Sequence, residues 1–228
     1  MELPLHEHLD ELRKRFIIVI VFLFIFFIVG FLFSGFFIKK IIHDLVFIEN
    51  VRIIGLTPIE YFLTQVKVGF LISFIITLPI IIYQLLVFIS PGMNRREKKS
   101  IKLILPSFIL LFLIGVVFTY FIFLPVAVYF LGNLSKGIIE NIWSIDAFIN
   151  FVLLSCLSFG LIFQLPLLLI TLNRIGIIDA KSLRTYRAHT YVIIFILSAV
   201  ITPPDAITQL IIALPLVMLY EASLLIIR

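Results

Sequence analysis

The chain has 228 residues, 62% of them hydrophobic and 14% charged, a composition that cannot present a soluble surface to water. Its formal net charge of +5 would point to nucleic acid in a soluble protein, but here the cations adjoin long apolar runs, where anionic lipid headgroups attract them. The composition therefore excludes a nucleic-acid partner and leaves one membrane domain, residues 1–228, as the economical organisation.

At the N-terminus, Leu5, Leu9, Leu12 and Phe16 recur at helical spacing, with His8, Glu11 and Arg15 on another face. Residues 1–15 are expected to form an amphipathic helix that lies along the cytoplasmic surface and then turns into the first span. Glu11 stands four residues before Arg15, the favourable order for a helical ion pair. Spans are expected at about 16–38, 68–89, 103–125, 147–172, 190–203 and 206–227. The first is 23 residues long and lacks a small-residue cleavage site, so it is a membrane helix and not a removable signal.

The segment Ser34 to Lys67 is still rich in Ile, Val and Phe and is expected to pack on the membrane surface. It ends in Thr57, Pro58 and Glu60, a capping box for the second long helix. If that helix runs to Phe88 it extends to about 46 Å, longer than the ~30 Å hydrocarbon core, so it must protrude or tilt, with a bend at Pro79. Pro106, Pro125, Pro166 and Pro215 add breaks or kinks further on. Beyond Thr190 the uncharged runs shorten to 15 residues each, joined by Pro203, Pro204 and Asp205 as an outer turn. The expected fold is all-α: six kinked transmembrane helices forming a curved concave wall, the last two short.

The distribution of Lys and Arg sets the orientation. Thirteen of the 18 lie in the N-terminal tail, in the loops after spans 2 and 4 and at the C-terminus, and 5 lie in the opposite loops. Cations stay on the cytoplasmic side, so both termini are expected there.

No H-E-x-x-H, G-x-S-x-G, Walker A or G-x-G-x-x-G sequence occurs, which argues against an enzyme, and no metal or cofactor is expected. Cys156 is the single cysteine and reads as core packing. Gln164, beside Pro166, would cost several kcal/mol in lipid unless hydrogen-bonded. Its amide either bonds a neighbouring helix or a carbonyl freed by Pro166, or forms a polar patch that meets a substrate or partner helix. Thr202 and Gln209 sit near the outer end of the last hairpin, where water can solvate them, and Glu221 lies close enough to the inner interface to reach water or an Arg. Glu97 stands among Arg95, Arg96, Lys98 and Lys99, a pattern that by itself describes a solvated, topology-enforcing loop.

Taken together, several segments resemble one family, TatC, the six-span receptor subunit of the twin-arginine protein translocase. They are His8 to Arg15 (HLDELRKR) before span 1; Thr57, Pro58, Ile59 and Glu60 opening span 2; and Phe88, Ile89, Ser90, Pro91 and Gly92 followed by Arg96 and Glu97. Phe163, Gln164, Leu165 and Pro166 in span 4, and Thr202, Pro203, Pro204 and Asp205 before span 6, complete the set. Each is weak alone, but their order and spacing are specific and cover nearly the whole chain.

The resemblance implies a multi-pass receptor in the cytoplasmic (inner) membrane. It would bind twin-arginine signal peptides on the cytoplasmic face and recruit single-span TatA-like and TatB-like subunits into a homo- or hetero-oligomer that exports folded proteins. By position, Glu11 and Glu97 match the family's acidic signal-binding residues, with Phe88 and Arg13 beside them, and Thr202 and Gln209 match the polar positions where partner helices dock. The family commonly has Glu where this chain has Gln164, and a neutral amide cannot titrate. The alternative reading is a small-molecule or ion secondary transporter, which calls for polar residues converging at mid-membrane and often for two repeated halves; neither is evident in the sequence.

Overall fold

The computed structural model describes residues 5–46, 51–89, 95–134, 140–174, 178–201 and 206–227. Thr202, Pro203, Pro204 and Asp205 lie outside the described residues, as do Ser90, Pro91 and Gly92. The described elements are α1 (Leu5–Leu45), β1 (Val51–Ile54), α2 (Glu60–Ile89), α3 (Arg95–Phe118), a π-helical turn (Thr119–Phe123), α4 (Leu124–Leu134), β2 (Asn141–Ser144), α5 (Ile145–Ile162), α6 (Leu165–Arg174), α7 (Ala180–Thr185), α8 (Arg187–Ile201) and α9 (Ala206–Ile226). Among the described residues five stretches are long and apolar enough to cross a membrane: Asp10–Leu45, Glu60–Phe88, Leu105–Leu134, Ile145–Asn173 and Gln209–Ile226, with α8 a shorter apolar helix.

The chain divides into two compact units. The first comprises Met1–Phe47, Arg52–Ile109 and Ile142–Leu153 and is organised by α1 against α2. Their contacts run in opposite directions along the two helices: Arg15 meets Gln84, Leu23 O accepts from Ser73 Oγ at 2.5 Å, and Phe31 packs edge-on against Phe62 at 5.9 Å. The pair is therefore antiparallel. It closes on two glycines, since a Cβ on Gly30 would lie 2.6 Å from the Gly69 carbonyl oxygen and one on Gly69 would lie 2.9 Å from the Phe31 backbone. In lipid, where apolar faces gain nothing from leaving water, such backbone approach is what holds helices together.

One expectation is corrected here. The amphipathic N-terminal segment does not turn into the first span: α1 is one helix of 41 residues, about 61 Å long. No proline interrupts it, its first glycine is Gly30, and the Arg15 to Glu11 bond bridges the junction where a turn was expected. The same helix continues past Ile38 through Lys39 and Lys40 to Leu45, so the segment after the first span begins as helix. The expected all-α class holds, with one small addition: β1 and β2, four residues each, pair as a two-stranded sheet.

The start of α2 is fastened by Glu60, which is buried. Its Oε2 accepts from Leu56 N at 2.5 Å and Thr57 N at 3.1 Å, the acidic half of the expected capping box. Its Oε1 accepts from Ser144 Oγ and from Asp146 N at 3.1 Å. Lys67 Nζ grips both oxygens of Asp146, at 2.6 and 2.8 Å. The capping glutamate thus ties the start of α2 to the start of α5.

The second unit comprises Ile48–Val51, Leu110–Asn141 and Leu154–Arg228. Its centre is aromatic: Phe123 and Phe159 at 5.1 Å, and Phe118 and Phe163 at 5.5 Å. Gly115 sits where a Cβ would come 2.7 Å from the Phe159 carbonyl. Ahead of Pro125 the helix widens into the π-helical turn, in which Leu124 N donates to Thr119 O, and helical structure continues to Leu134, beyond the expected boundary at residue 125. The fourth span breaks in two at Phe163 and Gln164. Helix α8 has 15 residues, but α9 has 21 and runs on past Glu221. Arg187 Nη2 donates to Glu221 Oε2 at 2.7 Å and the Tyr191 hydroxyl donates to Oε1, so this carboxylate is paired and does not end the helix.

Replacing Gly69 by Ala should force α1 and α2 apart against backbone that cannot yield, with a cost of about 1–3 kcal/mol. A lowered unfolding midpoint in detergent checks it; an unchanged midpoint would show that the crossing is not close-packed.

Candidate functional site

Near its N-terminus α1 runs beside the last turns of α2. Glu11 and Arg15, four residues apart, share one face of α1, while Gln84 and Phe88, also four apart, share one face of α2. Arg15 joins the two faces: its Nε donates to Glu11 Oε1 at 3.1 Å, its Nη2 donates to the same oxygen, and its Nη1 donates to Gln84 Oε1 at 3.1 Å. The Arg15 and Glu11 side chains keep 20% and 28% of their exposure, so the pair is partly shielded from the water and salt that weaken surface ion pairs.

Beside this pair lies a groove of about 170 Å³ lined by Leu12, Arg15, Phe16, Val19, Ile81, Gln84, Leu85 and Phe88. Arg15 and Gln84 are its polar members and the rest are aliphatic or aromatic. Such a surface offers an apolar side chain a bed and a cation a nearby carboxylate.

Of the residues expected in the signal-binding set, Glu11 and Phe88 come together, Glu11 through Arg15 and Phe88 as a wall of the groove. Arg13 does not join them. It is exposed, and two residues of helix turn it about 200° from Glu11. Glu97 belongs to the first turn of α3, with its side chain outside the described residues. Arg15 and Gln84 were not expected at the site. Arg15 reads as helix support from spacing alone, and Gln84 sits within an apolar run where the available signal was its i,i+4 relation to Phe88.

Gln164 is buried in the break of the fourth span. Its N–H bonds Leu161 O at 3.0 Å instead of the Gly160 carbonyl it would serve in a regular α-helix. Its own side chain takes over that role, Nε2 donating to Gly160 O at 3.2 Å. The amide does bond a carbonyl, but the acceptor is Gly160 O on its own segment, neither a neighbouring helix nor the Ile162 carbonyl that Pro166 deprives of a donor. Gln209, half-buried on α9, donates through Nε2 to Phe195 O of α8 at 3.0 Å. Among the described residues no group of three or more His, Cys, Asp or Glu could hold a metal ion.

The fold and site define a polytopic helical membrane protein with a guanidinium-carboxylate centre beside an apolar groove between its first two helices. A family model described as Sec-independent protein translocase protein (TatC) matches residues 7–215. The chain is 35% identical to the Sec-independent protein translocase protein TatCy of Bacillus subtilis (strain 168), over 99% of this chain and 89% of that one. It is 36% identical to TatC of Aquifex aeolicus (strain VF5), over 97% and 93%. A crystal structure described as the twin arginine translocase receptor TatC superposes with a TM-score of 0.83 at 35% identity, covering 97% of this chain and 99% of that one. The chain therefore belongs to the TatC family of Sec-independent protein translocase proteins; it is a membrane component of that translocase and not an enzyme.

Replacing Gln164 by Leu should leave the Gly160 carbonyl without a donor in apolar surroundings, a loss of about 1–3 kcal/mol. Thermal unfolding in detergent measures it, and a midpoint equal to wild type would mean the amide is dispensable to the break.

Proposed function

We propose that this protein is the receptor subunit of a twin-arginine translocase: it binds signal peptides with consecutive arginines on its cytoplasmic face and recruits single-span TatA-like and TatB-like subunits to export folded proteins. The observation that carries the reading is the centre at Glu11, a carboxylate already engaged with a guanidinium through two nitrogens and set beside an apolar groove. A planar guanidinium suits this acceptor and a lysine ammonium does not. Glu97, on the first turn of α3, supplies the second acid, so that two carboxylates select two arginines, while Phe88 contributes the groove wall. On the last hairpin, Thr202 and Gln209 are proposed as hydrogen-bonding positions for a partner's helix.

The proposed orientation places both termini in the cytoplasm of a cell with this protein in its inner membrane, from the 13 to 5 division of Lys and Arg. A cysteine placed at Ala206 should react with an impermeant reagent added outside, and one placed at Asn94 should be spared. The reverse pattern would overturn the orientation.

If Glu97 receives a peptide arginine, Glu97→Gln loses a charge-assisted bond worth about 1.5–3 kcal/mol, roughly 10- to 150-fold in affinity. If it is only one charge in a solvated basic segment the change stays within about 1 kcal/mol. Glu11→Gln should behave likewise, and the two losses should be non-additive because both acids grip one pair of arginines. Titration of a labelled twin-arginine peptide into the three variants at fixed salt decides it, and wild-type affinity in Glu97→Gln would place the receptor site elsewhere.

A further inference from the structure

We infer that Arg15 is a built-in occupant of the recognition site: it fills a guanidinium position on Glu11, and a peptide arginine binds by exchanging with it. This rests on the reading of Glu11 as an arginine acceptor and adds a residue that sets the affinity of that site. Three of Arg15's donor contacts are spent here, two on Glu11 Oε1 and one on Gln84 Oε1. Glu11 therefore does not wait as a bare carboxylate.

Addition without exchange is disfavoured by charge. Both Arg15 bonds go to Oε1, so a second guanidinium could approach Oε2, but it would sit within a few ångströms of the first, and one carboxylate carries too little charge to neutralise both in this partly shielded site. Exchange removes the conflict. Arg15 can release Oε1 and keep its bond to Gln84, a neutral acceptor on the neighbouring helix, while the incoming guanidinium takes the carboxylate. The groove wall formed by Leu12, Phe16 and Phe88 then receives whatever apolar group accompanies it. Pairing with Arg15 also avoids leaving a part-buried carboxylate without a counter-charge.

The exchange has a specific thermodynamic signature. Breaking the internal pair costs the receptor the same whatever displaces it, so weakening that pair must strengthen every ligand of Glu11 by one common factor. A residue that touches the peptide itself would affect different peptides unequally.

The test uses the purified full-length protein in detergent, a labelled twin-arginine signal peptide and its twin-lysine counterpart, at fixed salt. Arg15→Lys keeps the charge but loses the planar fork, so long-range attraction of the cationic peptide is unchanged. It should raise affinity for both peptides by a common factor of roughly 3- to 10-fold. Arg15→Gln should raise it at least as far, and the gain from Arg15→Lys should vanish when combined with Glu11→Gln. Unchanged or weaker binding in Arg15→Lys would overturn the exchange, as would a gain that persists in the Glu11→Gln background. The two readings fail separately. Wild-type affinity in Glu11→Gln alone removes Glu11 as the acceptor, whereas weakened binding there with no gain in Arg15→Lys removes only the built-in occupant. Matched unfolding midpoints for Arg15→Lys and wild type establish that the comparison concerns binding.

Discussion

A hydrocarbon core offers no water to a stray carbonyl, and most local irregularities of this protein answer that constraint. Where the chain is regular, the helix satisfies itself. Just ahead of two of the prolines the ladder is irregular, and the backbone or a side chain takes up the carbonyls there. Ahead of Pro125 the ladder shifts by one residue into a π-helical turn, and Leu124 N reaches back to Thr119 O. Before Pro166 the last turn of α5 tightens, Gln164 N goes to Leu161 O, and the Gln164 amide covers the Gly160 carbonyl left behind. Several hydroxyls follow the same rule along the helices: Thr119 donates to Gly115 O, Thr171 to Leu167 O and Ser198 to Ile194 O, whereas the buried Thr77 hydroxyl has no partner among the described residues. These bonds let the chain keep its bends without exposing polar backbone to lipid.

The same solvent explains where the helices touch. Leucine and phenylalanine gain little by leaving lipid for protein, so cohesion comes from short-range contact, and contact is shortest where side chains are missing. Gly30 and Gly69 bring two backbones together in one unit, and Gly115 lies against the Phe159 backbone in the other. Exposed apolar residues of α1 such as Phe24 and Leu32 are compatible with a hydrocarbon surrounding and need no burial within the fold. In this unit the closest approach lies between Arg15 and Gln84 at one end of the antiparallel pair and Phe31 and Phe62 toward the other. The crossing thus fixes how the two ends of the Glu11 face and the Phe88 face meet.

The large features were legible because they depend on composition and local spacing. Apolar length marked the membrane helices, and the i,i+4 relation of Glu11 and Arg15 marked their pairing; of the prolines, Pro125 and Pro166 adjoin irregularities, while Pro79, Pro106 and Pro215 lie inside continuous helices. What escaped depended on long-range placement. Nothing local announces that residues 51–54 pair with residues 141–144, or that Glu60, besides capping its own helix, reaches Ser144 and Asp146 about 85 residues away. The junction at residues 15 and 16 was misread because a change from amphipathic to apolar composition resembles a boundary. Composition can change along a helix without bending it when no proline or glycine intervenes. Gln84 was hidden by a run of neighbours that spoke only of lipid, and Arg13, which the family resemblance sets beside Glu11, lies on another face of α1.

Depth separates the polar residues by task. Those in the middle of the helices, such as Ser73, Thr119, Gln164 and Ser198, direct their donors to carbonyls of the chain itself. A donor committed in this way is costly to withdraw, since nothing in the core replaces its partner. Gln164 sharpens the point: the bond it makes requires a donor, which an ionised carboxylate at that position could not supply. Recognition of a soluble, charged ligand therefore has to occur near helix ends, where a displaced side chain can find water or a second acceptor. The Glu11, Arg15 and Gln84 centre meets that requirement. It joins two helices near their ends, it is only partly shielded, and its cation has two acceptors, so releasing one does not strand it.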